Sequence, residues 1–343
     1  MKTPLLLSAF VAGIALSHAE DSAVTLREFI YEKAPYPECH ASTLVETPTG
    51  LVAAWFGGKH EKHPSVGIWL AHRKADGWTE GVEVADGNQP DGKRLPCWNP
   101  VLFQVPGKEL ILFYKVGPSP STWWGLLKRS ADGGKTWSAA ERLPDGILGP
   151  IKNKPVLLPD GALLCPASTE SDDAADAWRL AFYRSTDLGR TWTTAVPAMP
   201  SEGRGIDAIQ PSVLFHEGGK LQAVGRTRAK RVFETWSADQ GKTWTAPALL
   251  DVPNPSSGTD ALTLKDGRHV LVCNPVEKGR SPLSVLVSRD GKSWQSAAVL
   301  ETEKGEFSYP AVIQTADGAV HVTYTWKRQI IRHVVLRTEA LGR

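Results

Sequence analysis

Ser130-Ala131-Asp132-Gly133-Gly134-Lys135-Thr136-Trp137 returns as Ser185-Thr186-Asp187-Leu188-Gly189-Arg190-Thr191-Trp192 and as Ser237-Ala238-Asp239-Gln240-Gly241-Lys242-Thr243-Trp244. A shortened copy is Ser288-Arg289-Asp290-Gly291-Lys292-Ser293-Trp294, and a worn one is Asp76-Gly77-Trp78. The opening serines lie 55, 52 and 51 residues apart. A fixed period of that length marks a repeat architecture. The pattern has a physical cause. The Ser and Asp side chains bond to backbone N–H groups of a tight turn, Gly supplies a positive φ, and Trp folds under the turn as its apolar plug. Such a box joins two strands and is structural, so no catalysis is placed on it.

A second series agrees with the first. Turn dipeptides stand between apolar runs at Thr49-Gly50, Pro106-Gly107, Asp160-Gly161, Glu217-Gly218, Asp266-Gly267 and Asp317-Gly318, with glycines 57, 54, 57, 49 and 51 residues apart. Each unit reads as strand, turn, strand, loop, strand, box, strand. In the fifth, Ala261 to Leu264 precedes His269 to Cys273, then Leu283 to Ser288, the box, and Gln295 to Leu300. No stretch carries a long helical period. These patterns predict an all-β, six-bladed β-propeller, whose ring leaves only short protected sheet edges. A parallel β-helix would need a shorter repeat. The sixth unit lacks a box and ends near Leu336. Val24 to Ile30 alternates like a strand and is expected to complete the last blade.

Composition sets outer limits. The 343 residues carry 22% charged side chains and a formal net charge of +2, which gives no reason to expect nucleic acid or an anionic membrane as partner. Residues 1–19 read as a signal peptide: Lys2, an apolar run from Leu5 to Leu16 too short to remain in a membrane, and a small-x-small site at Ser17-His18-Ala19. Residues 20–343 then form a single domain, expected to be a periplasmic or secreted monomer without membrane insertion. Cys39, Cys97, Cys165 and Cys273 lack zinc-site spacing, so no metal or other cofactor is expected. A Cys39–Cys97 disulfide between neighbouring blades stays open beside four buried thiols.

The boxes and the six-unit count resemble the bacterial sialidase, or Asp-box (BNR) repeat, superfamily, over nearly the whole mature chain. The resemblance implies a site at the centre of one face, with three arginines for a substrate carboxylate, an Asp acid/base, and a Tyr nucleophile assisted by a Glu. The place of the first arginine, just before Ser42-Thr43-Leu44-Val45, holds His40. Arg226 fits the second and Arg280 the third. The assisting Glu falls at Gln210, the Asp near Ser65, and the Tyr at Phe307 or, two residues on, Tyr309. The resemblance thus implies an exo-α-sialidase-type glycosidase, a hydrolase acting on a glycan that ends in an acidic sugar. The missing Asp favours a uronate lyase or deoxy-sugar glycosidase as an alternative, and a non-catalytic glycan-binding propeller is a third.

Propeller geometry yields its own candidates. The funnel is lined by the start of each innermost strand (His40, Asn99, Lys154, Gln210, Asp260, Tyr309) and the end of the next (His60, Lys115, Glu170, Arg226, Asn274, Trp326). Polar groups gathered at a closed centre are costly unless paired or used. Tyr309, Glu170, Asp260 and His40 are the catalytic candidates. Glu170 and Asp260 are general acids if burial raises their pKa, and a His40–Tyr309 pair suits β-elimination from a uronate. Arg226, Arg280, Gln210, Lys154, Asn99 and Lys115 are the substrate-binding candidates. Structural roles stay open for several: an ion pair of Lys154 with Glu170 or Asp260, a core histidine at His40, and blade core rather than a sugar platform at Trp123 and Trp124. Arg228 and Arg231 read as surface residues.

Overall fold

The computed structural model describes residues 23–172, 177–201, 203 and 205–342. The candidate leader, residues 1–19, therefore lies outside the described residues.

Six antiparallel sheets follow one another around a ring. Blade one is Glu38–Thr47, Gly50–Gly58, Gly67–Lys74 and Val82–Ala85, with the small Gly77–Trp78 strand beside its third strand. Blade two is Cys97–Gln104, Leu110–Val116, Trp124–Ser130 and Glu141–Arg142, and blade three is Val156–Leu157, Leu163–Glu170, Trp178–Ser185 and Thr193–Ala195. Blade four is Ala208–Phe215, Leu221–Thr227, Arg231–Ser237 and Ala248–Pro253. Blade five is Asp260–Thr263, His269–Cys273, Leu283–Ser288 and Gln295–Glu301. Blade six is Phe307–Gln314, Val320–Trp326 and Ile330–Leu336, and the N-terminal Val24–Phe29 pairs antiparallel with Ile330–Leu336 as its outermost strand. The expected closure is thus present.

The boxes form the turns between third and fourth strands. In the blade-three copy, Asp187 Oδ1 accepts from the N–H groups of Arg190 and Thr191 at 3.0 and 2.8 Å, and Ser185 Oγ accepts from Gly189 N–H at 2.7 Å. Gly189 has φ +95°, and Trp192 Nε1 closes the turn onto its carbonyl at 3.1 Å. Each Trp packs against the preceding blade. Trp192 meets Phe113 edge-on at 6.4 Å, and Trp244 stacks on Phe182 at 3.8 Å. The worn box does the same, because Trp78 meets His333 of blade six at 5.3 Å. Blade six has no box. Its third strand runs into the turn Thr338–Ala340, and the buried Leu341 joins the core between blades five and six, with Leu264, Val270 and Val285. All four cysteines are buried free thiols, so no Cys39–Cys97 disulfide forms.

Four innermost strands share a bulge after their second or third residue, where the register jumps between His40 and Thr43, Trp98 and Val101, Ile209 and Ser212, and Ser308 and Ala311. In each, one residue enters the left-handed region: Ala41 (φ 52°), Asn99 (φ 31°), Gln210 (φ 57°) and Tyr309 (φ 53°). Bulges re-aim side chains, and a strained φ in a non-glycine residue persists only where its surroundings enforce it. Chain direction puts these bulges and the loops between second and third strands at one end of the ring. The boxes and the first-to-second-strand turns lie at the other.

Candidate functional site

Tyr309 stands on the blade-six bulge among groups from several blades. The His40 ring lies 4.1 Å away, centroid to centroid, and Gln210 Nε2 makes a long 3.5 Å contact with the Tyr309 hydroxyl. The Arg226 guanidinium sits between two aromatic rings, 5.5 Å from Tyr309 and 5.1 Å from Trp178, an arrangement that holds a cation by the ring quadrupoles. Its Nη1 donates to the Ser256 carbonyl at 2.9 Å, while its buried Nε has no protein partner. Arg280 donates from Nη1 to Glu306 at 2.7 Å and to Ser308 Oγ at 3.2 Å, next to Tyr309 in the chain.

His40 is buried, and its Nδ1 is 3.0 Å from Thr325 Oγ1. Burial, and then the charges of Arg328, Arg280, Arg226 and Lys152, hold its pKa well below the usual histidine value, so the ring is neutral. Its Nε2 has no protein partner, and neither do Gln210 Oε1 and Thr259 Oγ1 nearby. Orphaned buried polar atoms are uncommon in native proteins. Several around one tyrosine mark a place built to receive polar atoms. Glu170 ends the second strand of blade three, opposite Trp178. Burial pushes its carboxyl pKa up, against the pull of Arg226 and Arg228.

Other sequence candidates lie elsewhere or are already engaged. Asp260 and Lys154 form an ion pair at 2.9 Å, and Asp260 also accepts from Ser212 Oγ at 2.8 Å and Val312 N–H at 2.8 Å. With both oxygens so bonded, the pair ties blades three to six together and is a structural clamp rather than an acid and a sugar ligand. Lys115 is fully buried and donates to the carbonyls of Pro150 and Ile151, between blades two and three. The bulge register shows that the blade-one counterpart of Asn99, Gln210 and Tyr309 is Ala41, one residue past His40; likewise Phe56 and Thr325, not His60 and Trp326, match Lys115 and Arg226. Phe307 is wholly buried, which leaves Tyr309 as the tyrosine of the site. Trp123 is buried against Trp98 at 5.7 Å, and Trp124 stacks under Arg142 at 5.1 Å, so both belong to blade packing. Arg231 pairs with Asp251 at 3.1 Å, whereas Arg228 lies 4.6 Å over Trp178.

Four residues not among the sequence candidates also belong here. Trp178 supports Arg226. Lys152 is buried at the axis and donates to Thr259 and Pro310 carbonyls of blades five and six; burial pushes its pKa down to about 7, with Asp260 opposing. Arg328 and Glu61 form an ion pair at 2.5 Å. The loop preceding Val156–Leu157 carries both lysines; the sequence put forward Lys154, and only the fold brings Lys152 into view. No cluster of His, Cys, Asp or Glu fit to hold a metal occurs among the described residues. A groove of about 740 Å³, lined in part by Lys265, Asp266 and Arg289, lies at the opposite end among the turns of blades five and six.

Among solved structures the chain is similar to a protein of unknown function from Dyadobacter fermentans, at 19% identity and TM-score 0.76, over 92% of this chain and 98% of that one. It is similar to a mutant of the NanB sialidase of Streptococcus pneumoniae at 12% identity and TM-score 0.75, over 96% and 73%. It is also similar to the intramolecular trans-sialidase of Ruminococcus gnavus, solved with oseltamivir carboxylate, at 13% identity and TM-score 0.73, over 95% and 99%. At these identities the likeness is one of fold. No curated protein sequence matches. The family model for the BNR repeat-like domain matches residues 49–322, most of the six-bladed ring, and the chain belongs to that family.

Proposed function

We propose that this protein is an exported carbohydrate-active enzyme of the sialidase type, which removes a terminal acidic sugar from a glycan. One observation carries the reading: two arginines from adjacent blades come to one tyrosine, Arg226 lying 5.5 Å from the Tyr309 ring and Arg280 donating to Ser308, its neighbour in the chain, at 3.2 Å. Guanidinium groups brought together in this way suit bidentate binding of a carboxylate. Tyr309 is then the nucleophile at the anomeric carbon, and Glu170, whose pKa burial raises, gives its proton to the leaving oxygen. Gln210 is an amide and cannot take the tyrosine proton, but the neutral His40 has a free nitrogen that can. A bound substrate carboxylate offsets the arginine charges that resist protonation of His40.

The Gln210 amide favours a second reading, β-elimination from a uronate by the His40–Tyr309 pair, which needs no hydrolytic water. Release of fluorophore from a fluorogenic sialoside supports the first reading. Appearance of unsaturated-uronate absorbance without sialoside hydrolysis supports the second. Saturable binding of acidic sugars with neither product leaves a glycan-binding propeller.

A further inference from the structure

The geometry points to Arg328 as the third carboxylate-binding arginine of this site, delivered by blade six in place of one that blade one lacks. This rests on the acidic-sugar reading above and goes beyond it, because His40 occupies the blade-one place at which the sequence resemblance puts an arginine.

Arg328 lies in the hairpin turn between Val320–Trp326 and Ile330–Leu336. Lys327 and Arg328 have φ of 52° and 59°, and Gln329 N–H donates to the Trp326 carbonyl at 3.0 Å, which defines a tight turn with both central residues left-handed. The turn is pinned on both sides. The Arg328 carbonyl accepts from Cys39 N–H at 2.8 Å, so its backbone abuts the residue before His40, and Lys327 N–H donates to the Glu306 carbonyl at 2.7 Å. The side chain is aimed by two carboxylates: Nε donates to Glu306 at 2.9 Å and Nη1 to Glu61 at 2.5 Å. The Glu306 oxygen that accepts from Arg328 also accepts from Arg280 at 2.7 Å, which sets these two guanidinium groups side by side. Arg328 heads the charges that act on His40, followed by Arg280 and Arg226. Among the described residues, no protein group accepts from Nη2 of any of the three. With Nη2 free on all three, Arg328 and Arg280 held side by side on Glu306 and Arg226 against the Tyr309 ring, the arginines form a cradle suited to a carboxylate. The left-handed turn explains how an arginine from a neighbouring blade reaches this place without lengthening the loop.

Calorimetry on the mature chain with N-acetylneuraminic acid and with its methyl ester tests the assignment. The wild type binds the acid more tightly than the ester. Arg328→Gln, which keeps a donor for Glu306 but no charge, loses about tenfold or more for the acid and little for the ester. Arg226→Ala, the control for the acidic-sugar reading, loses the acid as well. If Arg328→Gln keeps the wild-type preference while Arg226→Ala loses it, Arg328 is not part of the clamp and the reading survives. If the wild type binds acid and ester alike, or neither, the reading falls and the Arg328 assignment with it. Should Arg328→Gln fail to fold, Arg328→Lys decides: a retained charge without the fork gives a weakened acid preference, and an unchanged preference overturns the assignment.

Discussion

Glu170 shows how one side chain carries two messages. Its pKa is raised because burial outweighs the pull of Arg226 and Arg228 and of a hydrogen bond from Trp178. In the proposed role of general acid it must be protonated to act, so activity should fall as pH rises through that elevated pKa. Glu170→Gln should lower kcat/KM by about a hundredfold or more and abolish this alkaline limb; an unchanged profile would exclude the role. Arg280→Ala should weaken acidic ligands by about tenfold to a hundredfold, the worth of a charged hydrogen bond, and leave a neutral sugar of the same ring unaffected. Equal weakening of both would remove the carboxylate clamp. Much of this site was legible residue by residue. Gln210-Pro211 and Tyr309-Pro310 sit at matching points of their repeats, and Arg226 stands one residue before the end of a strand whose register is set by its turn glycine. Arg328 and Glu61 were not legible, because turns and loops carry no period and their side chains meet only after the ring closes. Asp260 misled for the opposite reason: it stands at the right point of its strand, but its oxygens are spent on Lys154, Ser212 and Val312.

At the scale of the element, the Asp box was readable in full, since every bond it makes is local. Asp239 accepts from Lys242 and Thr243 N–H at 3.1 and 2.9 Å; burial alone would raise its pKa, but these bonds and that from the Thr243 hydroxyl hold it at about 2. Asp239→Ala should lower stability by about 1 kcal/mol, as for loss of a capping side chain, without altering ligand preference, because the box lies at the end of the ring away from Tyr309. Urea unfolding together with ligand titration checks both halves, and a selective loss of binding in a stably folded variant would place the box nearer the site than its topology allows. The bulges were harder to foresee. The sequence aligned His40 with Asn99 and Gln210, whereas the strand ladders align Ala41 with them. A one-residue displacement reverses which face a side chain occupies, so a reading by repeat alone finds the neighbourhood before the residue.

For the whole molecule, the N-terminal strand ties blades six and one through a single carboxylate. Glu28 on Val24–Phe29 accepts from His333 of blade six at 2.8 Å, and from Arg73 and Trp78 of blade one at 3.0 and 2.8 Å. Burial alone would raise its pKa; the three donors instead lower it from 4.5 to about 2. A carboxylate whose pKa falls on folding stabilises the fold above its unfolded pKa and ceases to do so as pH drops through the folded one. Thermal unfolding should therefore show the stability gap between wild type and Glu28→Gln shrinking from pH 4.5 to 2. A gap that stays constant across this window would mean that the charge of Glu28 does not hold the seam. The same closure has a temporal side. A ring fastened by a six-residue strand at its start and the last blade at its end is a belt whose buckle is made first and whose hole is made last. The earliest segment of the folded domain to be synthesised must wait, unpaired, for nearly the whole chain to follow, and it is among the last to dock.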